Sequence, residues 1–251
     1  MIAFITGATA GIGKATAELF AKNGYNIIIT GRRKERLDEI AAQVKSTFKV
    51  DVLSLNFDVR NNKEVEKAVQ SLSGDWRNVD VLVNNAGLAV GLSTIQDGDM
   101  DDWERMIDTN IKGLLYITRH LSPLMISHGS GHIINIGSIA GKEVYANGNV
   151  YCATKHAVDA LSKSMRIDML PYNIKVTAIN PGMVETEFSV VRFKGDEDRA
   201  KKPYLGIKPL TPEDIAETIY WCASRPPHVN INDIIITPTV QANATTTFRK
   251  E

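Results

Sequence analysis

Tyr151 and Lys155 stand four residues apart in the stretch Tyr151-Cys152-Ala153-Thr154-Lys155, with Ser138 upstream. On a helix that spacing puts the phenol and the ammonium on one face, roughly 5–6 Å apart at Cβ. Free tyrosine ionises near pH ~10 and catalyses poorly at neutrality, whereas a neighbouring cation favours the phenolate. The pair therefore reads as an acid/base unit. The plainer reading is a tyrosine and a lysine on a solvated helix face, and the rest of the chain decides between them.

The elements that must position this stretch are legible as short apolar runs alternating with longer amphipathic segments. The runs are 2–6, 25–30, 50–57, 79–84, 132–137, 174–180 and 233–237. Helical patterns cover 15–23, with Gly24 as C-cap, then 33–47, 62–72, 102–128, 149–170 and 212–224. Strand alternating with helix implies a parallel sheet covered on both faces. Residues 183–211 are the one long segment without clear periodicity, between a Pro181-Gly182 turn and a helix start at Thr211-Pro212-Glu213. A loop of that length in a compact domain is usually functional or mobile, which makes it the candidate lid.

Composition limits the class of function. The 251 residues suit one large α/β domain or two small ones, and one domain is expected. Lysine plus arginine and aspartate plus glutamate number 29 each, so no global charge points to nucleic acid or to an acidic membrane as partner. Cys152 and Cys222 cannot make a disulfide framework and read as free thiols. The N-terminus carries no basic leader and no apolar run of spanning length, so a cytoplasmic protein is expected. The sequon at Asn243 is then a chance match.

The first apolar run ends in Thr6-Gly7-Ala8-Thr9-Ala10-Gly11-Ile12-Gly13, and a helix follows. A glycine-rich turn there lets backbone approach a phosphate whose charge meets the helix N-terminus. A phosphate-binding loop of the Walker type built on Lys14 would need glycine at 8 and Ser or Thr at 15, where the chain has Ala8 and Ala15. The usual dinucleotide fingerprint also fails, because Thr16 stands where its third small residue belongs. What remains is Gly7-x-x-x-Gly11-x-Gly13. After the second run come Gly31-Arg32-Arg33, where a carboxylate would normally hold the ribose of NAD. Two guanidiniums would instead hydrogen-bond a 2′-phosphate, so NADP(H) is the expected cofactor.

These segments, together with Asp58-Val59, Asn84-Asn85-Ala86-Gly87, Asn110 and Pro181-Gly182-x-Val184-x-Thr186, resemble the short-chain dehydrogenase/reductase family in order and interval along essentially the whole chain. Within it, residues 25–37, 103–113, 191–196 and 228–232 are most similar to the bacterial NADP-dependent 3-hydroxy-acid dehydrogenases, the L-allo-threonine or serine 3-dehydrogenases. The resemblance implies a single doubly wound Rossmann-type domain over residues 1–251, with an approximately seven-stranded parallel sheet. It implies a catalytic set of Asn110, Ser138, Tyr151 and Lys155. Tyr151 would exchange the proton, Lys155 would lower the Tyr151 pKa and hold the nicotinamide ribose, Ser138 would hydrogen-bond the substrate oxygen, and Asn110 would hold a connecting water. The cofactor would lie along Gly7, Gly11, Ile12, Gly13, Arg32, Arg33, Asp58, Val59, Asn85, Ala86, Gly87, Pro181, Gly182, Val184 and Thr186, besides Tyr151 and Lys155. Asp58 could equally be an N-cap.

The implied reaction is reversible oxidation of a small 3-hydroxy acid of the serine, allo-threonine, 3-hydroxyisobutyrate or 3-hydroxypropionate type. A broader carbonyl or 3-oxoacyl thioester reductase is the enzymatic alternative, and an NADP(H) sensor without turnover is the alternative of another class. Arg192, with Lys142 second, is the cation expected to meet a substrate carboxylate. No metal site is expected: His128 and His132 have metal-like spacing but bridge a helix end and a strand start, and the acidic run 97–102 reads as a helix cap. By resemblance the polar tail 238–251 crosses to a neighbouring subunit in a homotetramer.

Overall fold

The computed structural model describes residues 1–250. Seven strands, β1 (Ile2–Ile5), β2 (Asn26–Gly31), β3 (Val52–Asn56), β4 (Val81–Asn84), β5 (Gly131–Ile136), β6 (Ile174–Pro181) and β7 (Asp233–Ile236), form one sheet in the order β3-β2-β1-β4-β5-β6-β7. Every pairing is parallel. This is the parallel sheet that the alternation implies, in the doubly wound Rossmann-type arrangement that the resemblance implies. The helices are α1 (Gly11–Lys22), α2 (Lys34–Phe48), α3 (Asn62–Gln70), α4 (Met100–Ile107), α5 (Leu114–His128), α6 (Asn149–Met169), α7 (Phe188–Arg192), α8 (Glu197–Lys201) and α9 (Pro212–Ala223).

Strand side chains alternate between two cores because a strand's period is two. Ala3, Ile5, Ile27, Ile29, Val81 and Val83 pack under Phe20 of α1, Leu37 of α2 and Ile215 of α9. Ile2, Phe4, Ile28, Leu82 and Ile133 face the other way, onto Val65 of α3, Leu121 of α5 and Val158 of α6. Full burial of each large aliphatic or aromatic side chain contributes about 1.5–3 kcal/mol relative to exposure. The order reverses at β1 and β4, which opens a crevice beyond their carboxyl ends, where doubly wound sheets place ligands.

His132 sits inside this core, 3% exposed, with Nε2 2.7 Å from Thr177 Oγ1. Burial, with Lys175 nearby, pushes its pKa down to about 3. An unfolded histidine titrates near ~6.5, so between the two values only the unfolded chain takes the proton and stability falls on acidification. This one group contributes a slope of up to ~1.4 kcal/mol per pH unit. Urea titrations between those pH values should give a flatter dependence for His132→Gln than for the parent; parallel curves would contradict the assignment. His128 turns instead to Asp80, Nε2 3.5 Å from Oδ1, and the two imidazoles have separate partners.

The structure departs from the sequence-based reading in three places. The expected helix 102–128 is two helices, α4 and α5, joined by a π-helical turn at Asp108–Gly113. A single inserted residue shifts the later face without erasing the apolar period, so pattern alone does not mark it. The candidate lid holds α7, α8 and a 3-10 turn at Lys202–Tyr204, each too short to print a periodicity. Helix α2 begins at Lys34 with Arg33 at its cap position. Within the chain, the tail is held by Lys250 N–H donating to the Gly206 carbonyl at 3.0 Å and Arg249 Nη1 to the Leu205 carbonyl at 2.5 Å. No helix among the described residues is long and apolar enough to cross a membrane.

Candidate active site

A cleft of about 360 Å³ lies over the carboxyl ends of the central strands. Its floor at one end is the turn from β1 into α1. Gly7 adopts φ +67°, and a Cβ on Gly13 would stand 2.4 Å from the Gly7 carbonyl oxygen and 2.5 Å from Asn85 Nδ2. Backbone therefore packs on backbone here, tied down by Asn85 Nδ2 donating to the Thr6 and Gly7 carbonyls at 2.8 and 3.2 Å. Helix α1 has no side-chain cap at Ala10 and no acidic residue in its first turn. Its N-terminal amides are left to an anion, which is the fit that dinucleotide phosphates need. Gly13→Ala should abolish detectable nucleotide binding in calorimetry while the sheet still folds, because the turn must open to admit the methyl; unchanged affinity would contradict this account of the turn.

Beyond that turn, Arg33 donates through Nε and Nη2 to Thr9 Oγ1 at 3.2 and 2.8 Å, and through Nη1 to Glu187 Oε2 at 2.9 Å. Arg32 lies in the same cleft, its Nη1 3.9 Å from Asp58 Oδ2. Asp58 is held mainly by Arg60, whose Nη2 donates at 2.7 Å. Burial opposes its charge, but the hydrogen bonds from Arg60 outweigh it and keep its pKa below the ordinary value. Asp58 is not the cap of α3: Asn61 is, accepting from the Lys63 and Glu64 amides.

Val59, Ala86, Gly87, Ile12, Pro181, Gly182, Val184 and Thr186 line the cleft, along with Gly7, Gly11, Asn85, Ser138, Tyr151 and Lys155. Thr186 lies 3.3 Å from where a Gly11 Cβ would be, so the strip after β6 folds over the glycine turn. That strip is itself fastened from the tail, where buried Gln241 accepts from the Met183 amide at 2.9 Å. Gly13 and Asn110 stand one layer behind the wall.

Helix α6 brings Tyr151 and Lys155 to the cleft, and the turn after β5 brings Ser138; all three are buried. Ser138 Oγ accepts from the Ala140 amide at 3.1 Å. Lys155 Nζ donates to the Ile136 carbonyl at 2.9 Å and lies 6.0 Å from the Tyr151 ring centroid. Burial lowers the Lys155 pKa to about 8, so the ammonium persists at neutrality and is given up just above it. Asn110 comes from the π-helical turn, 2% exposed. Its Oδ1 accepts from the Leu88 amide at 2.9 Å, and its Nδ2 donates to the Leu88 carbonyl at 2.8 Å and to Thr154 Oγ1 at 3.0 Å. It thus fixes the Gly87-Leu88 strip beside Lys155.

Two expectations need correction. Tyr151 is not more acidic than a free tyrosine: burial, reinforced by Tyr145, pushes its pKa up, and the groups that work against this are the Ser138 hydroxyl and Arg192. Lys142 is not a free cation for a substrate, because its Nζ is held by Asp159 and Asp233 at 2.5 and 2.6 Å. Arg192 is placed differently. Its guanidinium carbon lies 5.6 Å from the Tyr151 ring centroid and 5.3 Å from that of Tyr145, and Nη2 donates to Tyr145 Oη at 2.9 Å. Its Nε is buried without a partner. The segment carrying it is pinned by the Gly91 amide on the Arg192 carbonyl, 3.0 Å, and by Lys194, 2.8 Å from buried Asp102 and 3.1 Å from Asp99. Asp99 does cap α4, accepting from the Asp101 amide.

Sequence reasoning missed Phe188, whose ring meets Tyr151 edge-on at 5.7 Å, and also Tyr145, Glu187 and Arg36. Arg36 alone had a signal, being one helical turn past Arg33.

The short chain dehydrogenase family model matches residues 1–197. The NADP-dependent 3-hydroxy acid dehydrogenase YdfG of Salmonella typhi is 49% identical over 245 residues, 97% of each chain. The serine 3-dehydrogenase of Agrobacterium fabrum is 44% identical over 96% of this chain and 94% of its own. Among solved structures, the closed form of a serine dehydrogenase complexed with NADP⁺ superposes with a TM-score of 0.93 at 45% identity, with both chains fully covered. With its glycine turn, its buried Tyr151 and Lys155 and these relatives, this chain belongs to the short-chain dehydrogenase family.

Proposed function

We propose that this protein is an NADP-dependent oxidoreductase that interconverts a small 3-hydroxy acid and its 3-oxo acid, with residues 1–251 as one functional unit and 183–211 as the lid of the cleft. The observation that carries the reading is the single cleft in which an uncapped helix N-terminus and two arginines lie at one end and Tyr151, Ser138 and Lys155 at the other. Relatives at 44–49% identity that are named for 3-hydroxy acids and serine support the substrate class.

When bound, NADP(H) would supply or accept the hydride. The protein's own work is placement and proton exchange. Arg32 and Arg33 would hold the 2′-phosphate, the Gly7–Gly13 turn the bridging phosphates, Asp58 and Val59 the adenine, and Pro181, Gly182, Val184 and Thr186 the nicotinamide. Ser138 Oγ donates to the substrate oxygen. Tyr151 Oη gives that oxygen its proton in reduction and removes it in oxidation. Burial holds the phenol protonated at neutrality, the form that reduction needs. Arg192, with a buried Nε to offer beside the Tyr151 ring, takes the substrate carboxylate.

The test is turnover with NADP⁺ and NAD⁺ on serine and allo-threonine enantiomers, 3-hydroxyisobutyrate, 3-hydroxypropionate and a neutral secondary alcohol. The reading requires NADP⁺ to be favoured and the acids to be preferred; preference for the neutral alcohol would replace it with the broader carbonyl reductase. A homotetramer remains part of the proposal, supported by Ile167 and Leu170 standing three-quarters exposed at the end of α6, and light scattering reads it directly.

A further inference from the structure

The carboxylate of Glu187 is seated on two arginines at the nucleotide end of the cleft, Arg33 and Arg36. Its Oε2 accepts from Arg33 Nη1 at 2.9 Å and its Oε1 from Arg36 Nη1 at 2.7 Å. Glu187 belongs to the segment leading into α7, at its cap position, whereas Arg33 and Arg36 belong to the start of α2. The pair of bonds therefore runs from the candidate lid to the nucleotide wall, and Glu187 and Arg33 line the same cleft. Although burial opposes its charge, the hydrogen bonds from the two arginines keep the carboxyl ionised below its ordinary range. A carboxylate and a phosphate make the same bidentate demand on guanidiniums, and a phosphate carries the larger charge.

We propose that Glu187 is an internal stand-in for the 2′-phosphate: a 2′-phosphorylated nucleotide must displace it from Arg33 and Arg36, and the displacement frees the base of the segment 188–201. This rests on the NADP reading above. It makes Arg36, absent from the sequence-based set, a third contributor to the phosphate contacts. A nucleotide without the 2′-phosphate has nothing to exchange and leaves the latch in place. Discrimination between cofactors is then tied to lid release through one side chain.

The decisive variant is Glu187→Gln, with Glu185→Gln as the control that removes a charge from the same strip away from the arginines. Both sites are exposed, so the fold tolerates the changes. Calorimetry with adenosine 2′,5′-bisphosphate and with adenosine 5′-monophosphate reads the competition without turnover. Glu187→Gln should bind the bisphosphate roughly three- to tenfold tighter, the range for losing exposed ion pairs that oppose the ligand. It should leave the monophosphate unchanged, and Glu185→Gln should leave both near the parent. Hydrogen exchange should also show the bisphosphate, and not the monophosphate, speeding exchange over 188–201 in the parent, with Glu187→Gln already fast before ligand is added. Equal shifts for both nucleotides, weaker bisphosphate binding, or no exchange response would overturn the proposal. If the parent itself binds the two nucleotides alike, the NADP reading fails; if the parent prefers the bisphosphate and the variant changes nothing, only the latch fails.

Discussion

Tyr151→Phe should lose turnover by roughly 10²–10⁴-fold, the usual contribution of a positioned general acid or base, with nucleotide affinity kept. The substitution removes one oxygen and preserves the ring that Phe188 and Arg192 pack against. The pH dependence follows from the same environment. Burial raises the phenol's pKa more than the Ser138 hydroxyl and Arg192 lower it, so oxidation, which needs the phenolate, should speed up as pH rises above neutrality. Reduction, which needs the phenol, should hold its rate across the neutral range. Initial rates in both directions across a pH series check this; an oxidation rate that falls with rising pH would mean that another group takes the proton.

Arg192→Ala is the second large effect. A charge-assisted hydrogen bond to a buried partner contributes ~1.5–3 kcal/mol, which corresponds to a roughly ten- to hundredfold rise in KM for carboxylate substrates. Loss of the guanidinium also removes a cation that lowers the Tyr151 pKa, so kcat should fall for acids and neutral alcohols alike. The discriminating readout is KM: it should climb for 3-hydroxy acids and stay near the parent value for a neutral secondary alcohol. Equal KM changes on both would take Arg192 out of substrate recognition.

All seven strands were legible because each is a short branched-aliphatic run closed by a turn signal, and a sheet covered on both faces needs nothing else from its strands. The residues that line the cleft were legible because they sit at strand ends, where local order fixes spatial order. Residues that act across long sequence separations left no such trace. Glu187 meets Arg33 over a separation of 154 positions and Gln241 meets Met183 over 58, and a glutamate or glutamine on a loop looks like any solvated residue. The π-helical turn that faces Asn110 inward depends on one extra residue in a turn, below what a 3.6-residue period can register. The influence of Lys155 on Tyr151 was overestimated for a related reason. Helical spacing gives proximity, but it does not say that the ammonium turns to the Ile136 carbonyl or that desolvation of the phenol outweighs the groups that would lower its pKa.

The measurement that bears most directly on the central claim is transfer of label from a 3-hydroxy acid deuterated at C3 to NADP⁺, followed by mass analysis of the nucleotide, with Tyr151→Phe in parallel. The account predicts deuterium on the reduced nucleotide with the parent protein and little or none with the variant. Unlabelled nucleotide from parent protein that binds NADP⁺ tightly, across the panel of hydroxy acids, would contradict it and leave a protein that senses the dinucleotide without transforming a 3-hydroxy acid.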